Sequence, residues 1–242
     1  ERLLGVSLTG IMDCETTRLA NAEHLTKLRT ICIETNREHA NKIGVEQSAA
    51  TTCVKPSGTV SQLVDAASGI HARHNDFYVR TVRADNKDPL CQFMKDEGFP
   101  YEPCAMKPDH VTVFSFPIAS PKGCVTRTDM TAIEQLEMWL QYQRHWCEHK
   151  PSVTITVKEP EWMEVGAWVW NHLNECSGIS FLPFSDHTYK QAPYQDCVES
   201  DYHELRSKMP TDIDWTKLKS YEEQDNTSGT QTYACSGESC EV

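Results

Sequence analysis

Two cysteines near the C-terminal end have a spacing that suits thiol–disulfide exchange. Cys235 and Cys240 are separated by four residues and follow the polar stretch 226–232, which is rich in Ser, Thr and Gly. A thiol pair on such a tether can enter a site, reduce a disulfide there and leave to be reduced again. The alternatives are that the spacing arose by chance or that the pair is half of a metal site. A four-ligand metal site is disfavoured because no histidine and no second cysteine pair lies close by in the sequence. The pattern favours a redox shuttle.

A second candidate is the short loop Lys55-Pro56-Ser57-Gly58-Thr59-Val60-Ser61. Its small residues would let the main chain approach a ligand closely. Free N–H groups at the start of a helix, together with Ser and Thr hydroxyls, suit an anion such as phosphate. An ordinary turn with a Ser or Thr helix cap is the commoner origin of such a sequence. On local grounds alone, both interpretations stay open.

The histidines do not form a metal-binding pattern. In the segment Gly69-Ile70-His71-Ala72-Arg73-His74, neither histidine has a carboxylate partner at helical spacing. His71 follows a glycine at the predicted rim of the loop. It is therefore a candidate for ligand contact.

Alternating strand and helix signals predict the elements that position these groups. Apolar and β-branched runs predict strands at 3–12, 50–54, 78–83, 110–116, 152–157 and 179–183. Helical spacing and end signals predict helices at 17–43, from 60 to before 69, from Asp88 to Gly98, from Asp129 onward and from Pro160 onward. This order predicts an α/β fold with a parallel or mixed sheet, either a barrel or an open sheet. Residues 1–222 are predicted to form the folded part, and 223–242 a flexible tail.

Composition limits the class of protein. The 242 residues are 39% hydrophobic and 24% charged, with a net charge of −12. The sequence has no block rich in Lys and Arg, which argues against a surface for nucleic acid or anionic lipid. It also has no apolar run long enough to span a membrane. The 11 cysteines are an odd number, which favours a reducing cytoplasm. Most of the cysteines lie within apolar or helical patterns and are predicted to be small buried hydrophobic residues. These are Cys14, Cys32, Cys53, Cys91, Cys124, Cys147 and Cys176.

Several motifs in order resemble adenosylcobalamin-dependent (class II) ribonucleotide reductases. In that family VKPSGTV precedes G-I/M-H and a strand containing R-x-x-R. The corresponding segments here are Val54–Ser61, Ser68–His71 and Tyr78–Arg83, and later landmarks are Ser152–Val157, Ser180–Phe184 and Gln191–Pro193. The terminal Cys-x4-Cys matches the family's tail pair. The resemblance covers roughly residues 3–240 and identifies the chain as the C-terminal half of such a reductase.

The resemblance implies a fold, a chemistry and partners. The fold would be the later part of the ten-stranded α/β barrel of the family. The substrate phosphates would be held by Ser57, Gly58, Thr59, Val60 and Ser61, and Cys235 and Cys240 would carry electrons from a thioredoxin-like reductant. Adenosylcobalamin would generate a thiyl radical that removes the ribose 3′ hydrogen, after which water leaves C2′ and a cysteine pair supplies electrons. The resemblance assigns no residue here to the cobalamin and implies no directly bound metal ion.

One family motif is absent from the sequence. The Asn-Pro-Cys-Gly-Glu-like loop that carries the radical cysteine does not occur in these 242 residues. The start of the chain, which enters a predicted strand almost at once, also suggests a fragment or one piece of a split protein. Catalysis would therefore need the N-terminal half, in trans or in a longer chain. The alternative is a non-catalytic nucleotide-binding or thiol-redox adaptor.

Other classes of the same enzyme fit less well. The class that receives its radical from a second subunit has a Tyr-Tyr pair in a late strand, where this chain has Ile179–Phe184. The glycyl-radical class has an Arg-Val-x-Gly-Tyr-like loop near its C-terminus, and this sequence has none.

Overall fold

The computed structural model describes residues 2–58, 60–184 and 190–222, and the backbone of 234–236 and 239–241. They fall into two compact units. Unit 1 comprises Glu1–Arg73 and Pro121–Ser185, and unit 2 comprises His74–Ser120 and Asp186–Val242. The expected boundary at 222 and the expected flexibility of 223–242 fall largely on residues outside the described ones, so both stay predictions.

The secondary structure alternates between strands and helices. The strands are β1 Leu3–Ser7, β2 Ala50–Cys53, β3 Phe77–Asp85, β4 Tyr101–Pro103, β5 Val111–Ala119, β6 Val153–Val157, β7 Ile179–Pro183, β8 Tyr194–Asp196, β9 Ala234–Ser236 and β10 Ser239–Glu241. The α-helices are α1 Glu15–Arg18, α2 Ala22–Ile43, α3 Val60–Leu63, α4 Pro89–Asp96, α5 Ala132–His145, α6 Trp162–Asn171, α7 Glu199–Ser207 and α8 Leu218–Tyr221. Single 3₁₀ turns occur at Ile11–Asp13, Glu159–Glu161 and Trp215–Lys217.

Unit 1 contains two parallel strand pairs and the long helices. β1 pairs with β2, and β6 pairs with β7. Asn21 caps the start of α2, and Gly44 ends it with a φ of 73°, a left-handed conformation that glycine adopts readily. The core is built on α5 and β6, where Leu136, Trp139 and Ile155 are fully buried. The indole N–H of Trp139 donates to the Pro151 carbonyl oxygen at 2.9 Å, so its burial leaves no polar atom unpaired.

Unit 2 is organised around an antiparallel sheet in the order β4-β5-β3-β8. The predicted end of a strand at Pro117 is wrong, because β5 continues to Ala119. Ser115 donates its main-chain N–H to the Pro100 carbonyl oxygen beside β4. Two residues later the ring nitrogen of Pro117 faces the same side, where β4 no longer pairs. A proline is tolerated there because no ladder hydrogen bond is lost.

Other predicted bounds were also wrong. The first strand stops at Ser7 because Gly10 turns the chain with a φ of 70° into a 3₁₀ turn. Helix α5 starts at Ala132, after a capping box formed by Thr131 and Glu134. Asp129, the predicted start, accepts hydrogen bonds from Thr126. The short strands β4 and β8 and the helices α7 and α8 do not correspond to predicted elements.

The cysteines with described side chains are all thiols. Cys53, Cys91 and Cys147 are buried as predicted, Cys32, Cys124 and Cys176 are partly exposed, and Cys14 is exposed, contrary to prediction. Burial raises the pKa of the Cys147 thiol to about 12, so this group stays protonated near neutral pH. Across the described ranges, none of the helices combines the length and the apolar character needed to cross a membrane.

Candidate functional site

The candidate loop begins where β2 leaves the core of unit 1. Val54 is fully buried, while Lys55 and Gly58 are exposed. A Cβ atom built on Gly58 would meet no atom of the described residues within 4 Å, and the φ of Gly58 is not in the left-handed region. The space beside the Gly58 main chain is therefore open. Lys55 adds a positive charge at the start of the loop, as an anion site would favour.

Hydrogen bonds within the loop divide its residues into two groups. Ser61 is fully buried, donates its main-chain N–H to Ser57 Oγ at 2.8 Å, and donates its hydroxyl to the Ser57 carbonyl oxygen. Ser57 in turn donates its main-chain N–H to Ser68 Oγ at 2.8 Å. Within the described ranges, no acceptor contacts the main-chain N–H of Gly58 or Val60, and Val60 is 61% exposed. Ser57 and Ser61 thus brace the loop, and Gly58 and Val60 present free donors.

Thr59 completes the predicted set and lies outside the described residues. The helix that follows the loop, α3, has only four residues. Its dipole is correspondingly small. An anion at this place would therefore be bound mainly by individual N–H and hydroxyl groups.

The segment that follows α3 lies directly against the loop. Gly69 has a φ of +56°, and a Cβ atom there would lie 2.7 Å from the Lys55 carbonyl oxygen. Only glycine fits this close approach without a shift of the main chain. Thr9 Oγ1 accepts from the Gly69 N–H at 2.9 Å and donates to the Ala67 carbonyl oxygen at 3.0 Å.

An ion pair between the buried Arg73 and the partly buried Asp13 holds the same segment. Arg73 is 4% exposed and donates from Nε and Nη2 to the Asp13 carboxylate at 2.8–3.2 Å. Asp13 Oδ2 also accepts the Ala67 N–H at 2.7 Å. Arg73 further donates to the Asp65 carboxylate at 3.1 Å and to its carbonyl oxygen at 2.6 Å. Because removing one partner would leave a buried charge, this network strongly specifies the path of residues 65–69.

His71 is committed to contacts within the protein. Its Nε2 accepts the main-chain N–H of Thr154 at 3.0 Å, so the hydrogen is on Nδ1, which donates to the Ser68 carbonyl oxygen at 2.9 Å. Burial lowers the pKa of the His71 ring and keeps it neutral, while the bond to Ser68 opposes this effect. Both ring nitrogens are occupied. His71 therefore connects the segment behind the loop with β6, which differs from the predicted contact with a ligand.

The two tail cysteines face each other in a strand pair. β9 and β10 are antiparallel, with Cys235 opposite Cys240. Opposed residues in such a pair have Cα atoms about 4.5–5.5 Å apart. A disulfide needs a separation of roughly 4.4–6.8 Å. The backbone register is therefore compatible with a disulfide between them.

Sequence reasoning missed the residues that support the loop. Asp13 and Arg73 are separated by 60 positions, and no local pattern links them. Ser68 appeared only as part of a motif, although its hydroxyl receives the Ser57 N–H.

Curated proteins similar to this chain share one kind of name. An adenosylcobalamin-dependent ribonucleoside-triphosphate reductase of Euglena gracilis is 33% identical over 171 residues, which cover 70% of this chain and 24% of the relative. A probable enzyme of the same name from Dictyostelium discoideum is 27% identical, covering 90% of this chain and 29% of the relative. The protein of Lactobacillus leichmannii is 24% identical, covering 87% and 32%. No protein-family model matches the chain.

The fold also has a solved counterpart. The crystal structure of a B-12 dependent (class II) ribonucleotide reductase superposes with a TM-score of 0.75 at 21% identity, covering 93% of this chain and 35% of that chain. This confirms the expected fold, a part of the reductase α/β barrel. The chain spans 24–32% of the length of the three curated relatives, a smaller share than the half that the motifs suggested.

Proposed function

This chain belongs to the family of adenosylcobalamin-dependent ribonucleotide reductases, and we propose that it supplies two parts of such an enzyme. The first is the loop that binds the phosphates of the ribonucleotide, and the second is the dithiol that returns electrons to the active site. The relatives are named ribonucleoside-triphosphate reductases, so a triphosphate is the first substrate to test.

The observation that carries the proposal is the open main chain at Gly58. The absence of a Cβ lets a phosphate oxygen come within hydrogen-bonding distance of the N–H groups of Gly58 and Val60. Lys55 contributes charge, and Thr59 is assigned a hydroxyl contact. Ser57 and Ser61 belong to the same site and hold its shape through their hydrogen bonds to each other. The loop binds and orients the substrate and moves no proton.

The dithiol completes the redox balance. Replacement of the 2′ hydroxyl by hydrogen releases one water and consumes two electrons and two protons, which an active-site thiol pair provides as it becomes a disulfide. Cys235 and Cys240 reduce that disulfide by thiol exchange and are themselves oxidised to a disulfide. A thioredoxin-like protein then reduces the tail pair. This cycle, and the thiols of the described cysteines, suit a reducing cytoplasm.

The cofactor assignment follows from the family. Adenosylcobalamin, when bound, supplies the radical that starts the reaction. Within the part of the chain that the structure describes, no group of three or more His, Cys, Asp or Glu side chains could hold a metal ion. We assign none of the described residues to the cofactor.

The radical cysteine is proposed to come from the remainder of the enzyme, as a separate chain or as part of a longer one. The experiment is to combine this chain with that remainder, adenosylcobalamin, a ribonucleoside triphosphate and thioredoxin, and to measure the 2′-deoxynucleotide. We expect product only with both parts present. If a complex shown to be assembled yields no product, the proposal of a reductase part is wrong.

The alternative function is that of a nucleotide-binding or thiol-redox adaptor. It would need only the open loop at Gly58 and the opposed Cys235 and Cys240. Such a protein would bind the nucleotide and exchange disulfides with thioredoxin, but the combined parts would form no deoxynucleotide.

A further inference from the structure

The main chain at Ser57 is held by a side chain outside the loop. The Ser57 N–H, which belongs to the peptide group between Pro56 and Ser57, donates to Ser68 Oγ at 2.8 Å. The next peptide group joins the Ser57 carbonyl to the Gly58 N–H, and its oxygen accepts the hydroxyl of Ser61. Both polar ends of Ser57 are therefore held, and the N–H of Gly58 is left to face a ligand.

Ser68 has a firm support of its own. Its carbonyl oxygen accepts two hydrogen bonds from His71, one from the main-chain N–H and one from Nδ1–H, both at 2.9 Å. His71 Nε2 receives the N–H of Thr154 in β6 at 3.0 Å. The position of Ser68 is thus tied to the sheet through a neutral imidazole.

The neighbouring residues add a second anchor. Ala67 donates its N–H to Asp13, which is ion-paired with the buried Arg73. Gly69 donates to Thr9 Oγ1 at 2.9 Å. Ser68 lies between these two fixed positions, so its hydroxyl meets the loop at a set place.

We propose that Ser68 is a positioning residue for the phosphate-binding loop: its hydroxyl fixes the peptide group before Ser57, as Ser61 fixes the one after it, so that the Gly58 N–H is oriented for the substrate phosphate. This inference rests on the proposed function of the loop. Ser68 itself makes no contact with substrate. Its contribution is preorganisation, since a loop held in its bound conformation loses less entropy when the ligand binds.

The test uses Ser68→Ala and Ser68→Thr in the assembled enzyme, with Ser207→Ala as a matched serine variant in α7. Ser68→Ala should raise KM for the ribonucleoside triphosphate about fivefold, the size of one hydrogen bond, with kcat and Tm near those of the unchanged enzyme. Ser68→Thr retains the hydroxyl and should restore KM. Hydrogen exchange in the peptide containing Ser57 should become faster in Ser68→Ala alone, a readout that does not depend on activity.

The outcomes separate this inference from the proposed function. If Gly58→Ala weakens binding of the triphosphate but Ser68→Ala changes neither KM nor the exchange rate, the positioning role is wrong and the loop assignment stands. If neither variant affects binding, the loop assignment fails, and the positioning role fails with it. Equal losses of Tm in Ser68→Ala and Ser68→Thr would mean a general structural role and would also overturn the proposal.

Discussion

Replacing Gly58 by alanine tests whether the open main chain is a binding surface. The added methyl group meets no atom within 4 Å in the part of the chain that the structure describes, and the Gly58 backbone is not left-handed, so the fold accommodates it. Stability should rise by about 0.4–1 kcal/mol, because alanine restricts the unfolded chain. The methyl group occupies the space in which a phosphate oxygen would lie. Loss of one hydrogen bond to a charged group, about 1.5–3 kcal/mol, weakens binding of a ribonucleoside triphosphate by roughly 10- to 150-fold.

The assay is equilibrium binding of the triphosphate to the assembled enzyme, measured beside Tm. Gly166→Ala is the matched control, because Gly166 also has no neighbour within 4 Å of a built Cβ but lies in α6. It should raise stability and leave binding unchanged. Gly69→Ala is the opposite case: its Cβ would lie 2.7 Å from the Lys55 carbonyl oxygen, so Tm should fall. Unchanged affinity in a folded Gly58→Ala protein would refute the reasoning.

Three further predictions concern the tail, the ion pair and the buried histidine. Replacing Cys235 and Cys240 by Ser should abolish repeated turnover with thioredoxin but leave one turnover from pre-reduced enzyme; repeated turnover would exclude the shuttle. Asp13→Ala should lower the free energy of unfolding by about 3 kcal/mol, because Arg73 stays buried without this partner; denaturant unfolding measures this, and a loss under 1 kcal/mol would contradict it. The pKa of His71 is lower in the folded state, so its stabilising contribution is present above the unfolded pKa of about 6.5 and is lost as pH falls through the folded pKa. His71→Gln should flatten this part of the stability curve, and an identical curve would contradict the assignment.

Much of the secondary structure could be predicted from local patterns. The end of α2 at Gly44 and the strand Ile179–Pro183 have clear signals and agree with the prediction, although α2 begins at Ala22 and not at residue 17. The strand through Pro117 could not be predicted, because the tolerance of proline depends on where the neighbouring strand ends. Tertiary context decided this case.

The candidate loop was visible in the sequence, but its supports were not. The small residues around Gly58 indicate, from the local sequence alone, a loop whose main chain a ligand can approach. The partners of Ser57 and Ala67 are 11 and 54 positions away, and only the folded chain brings them together. His71 was predicted to touch a ligand because its sequence position lies near the loop. The structure instead directs both of its nitrogens to main-chain groups.

The central claim is that the phosphate end of a ribonucleotide binds beside Gly58. A ribonucleoside triphosphate with a photoreactive group on its terminal phosphate, cross-linked in the assembled enzyme and mapped by mass spectrometry, tests this most directly. We expect the label on the peptide containing Lys55–Ser61, and its loss when unmodified triphosphate competes. Competable labelling confined to other peptides would contradict the account.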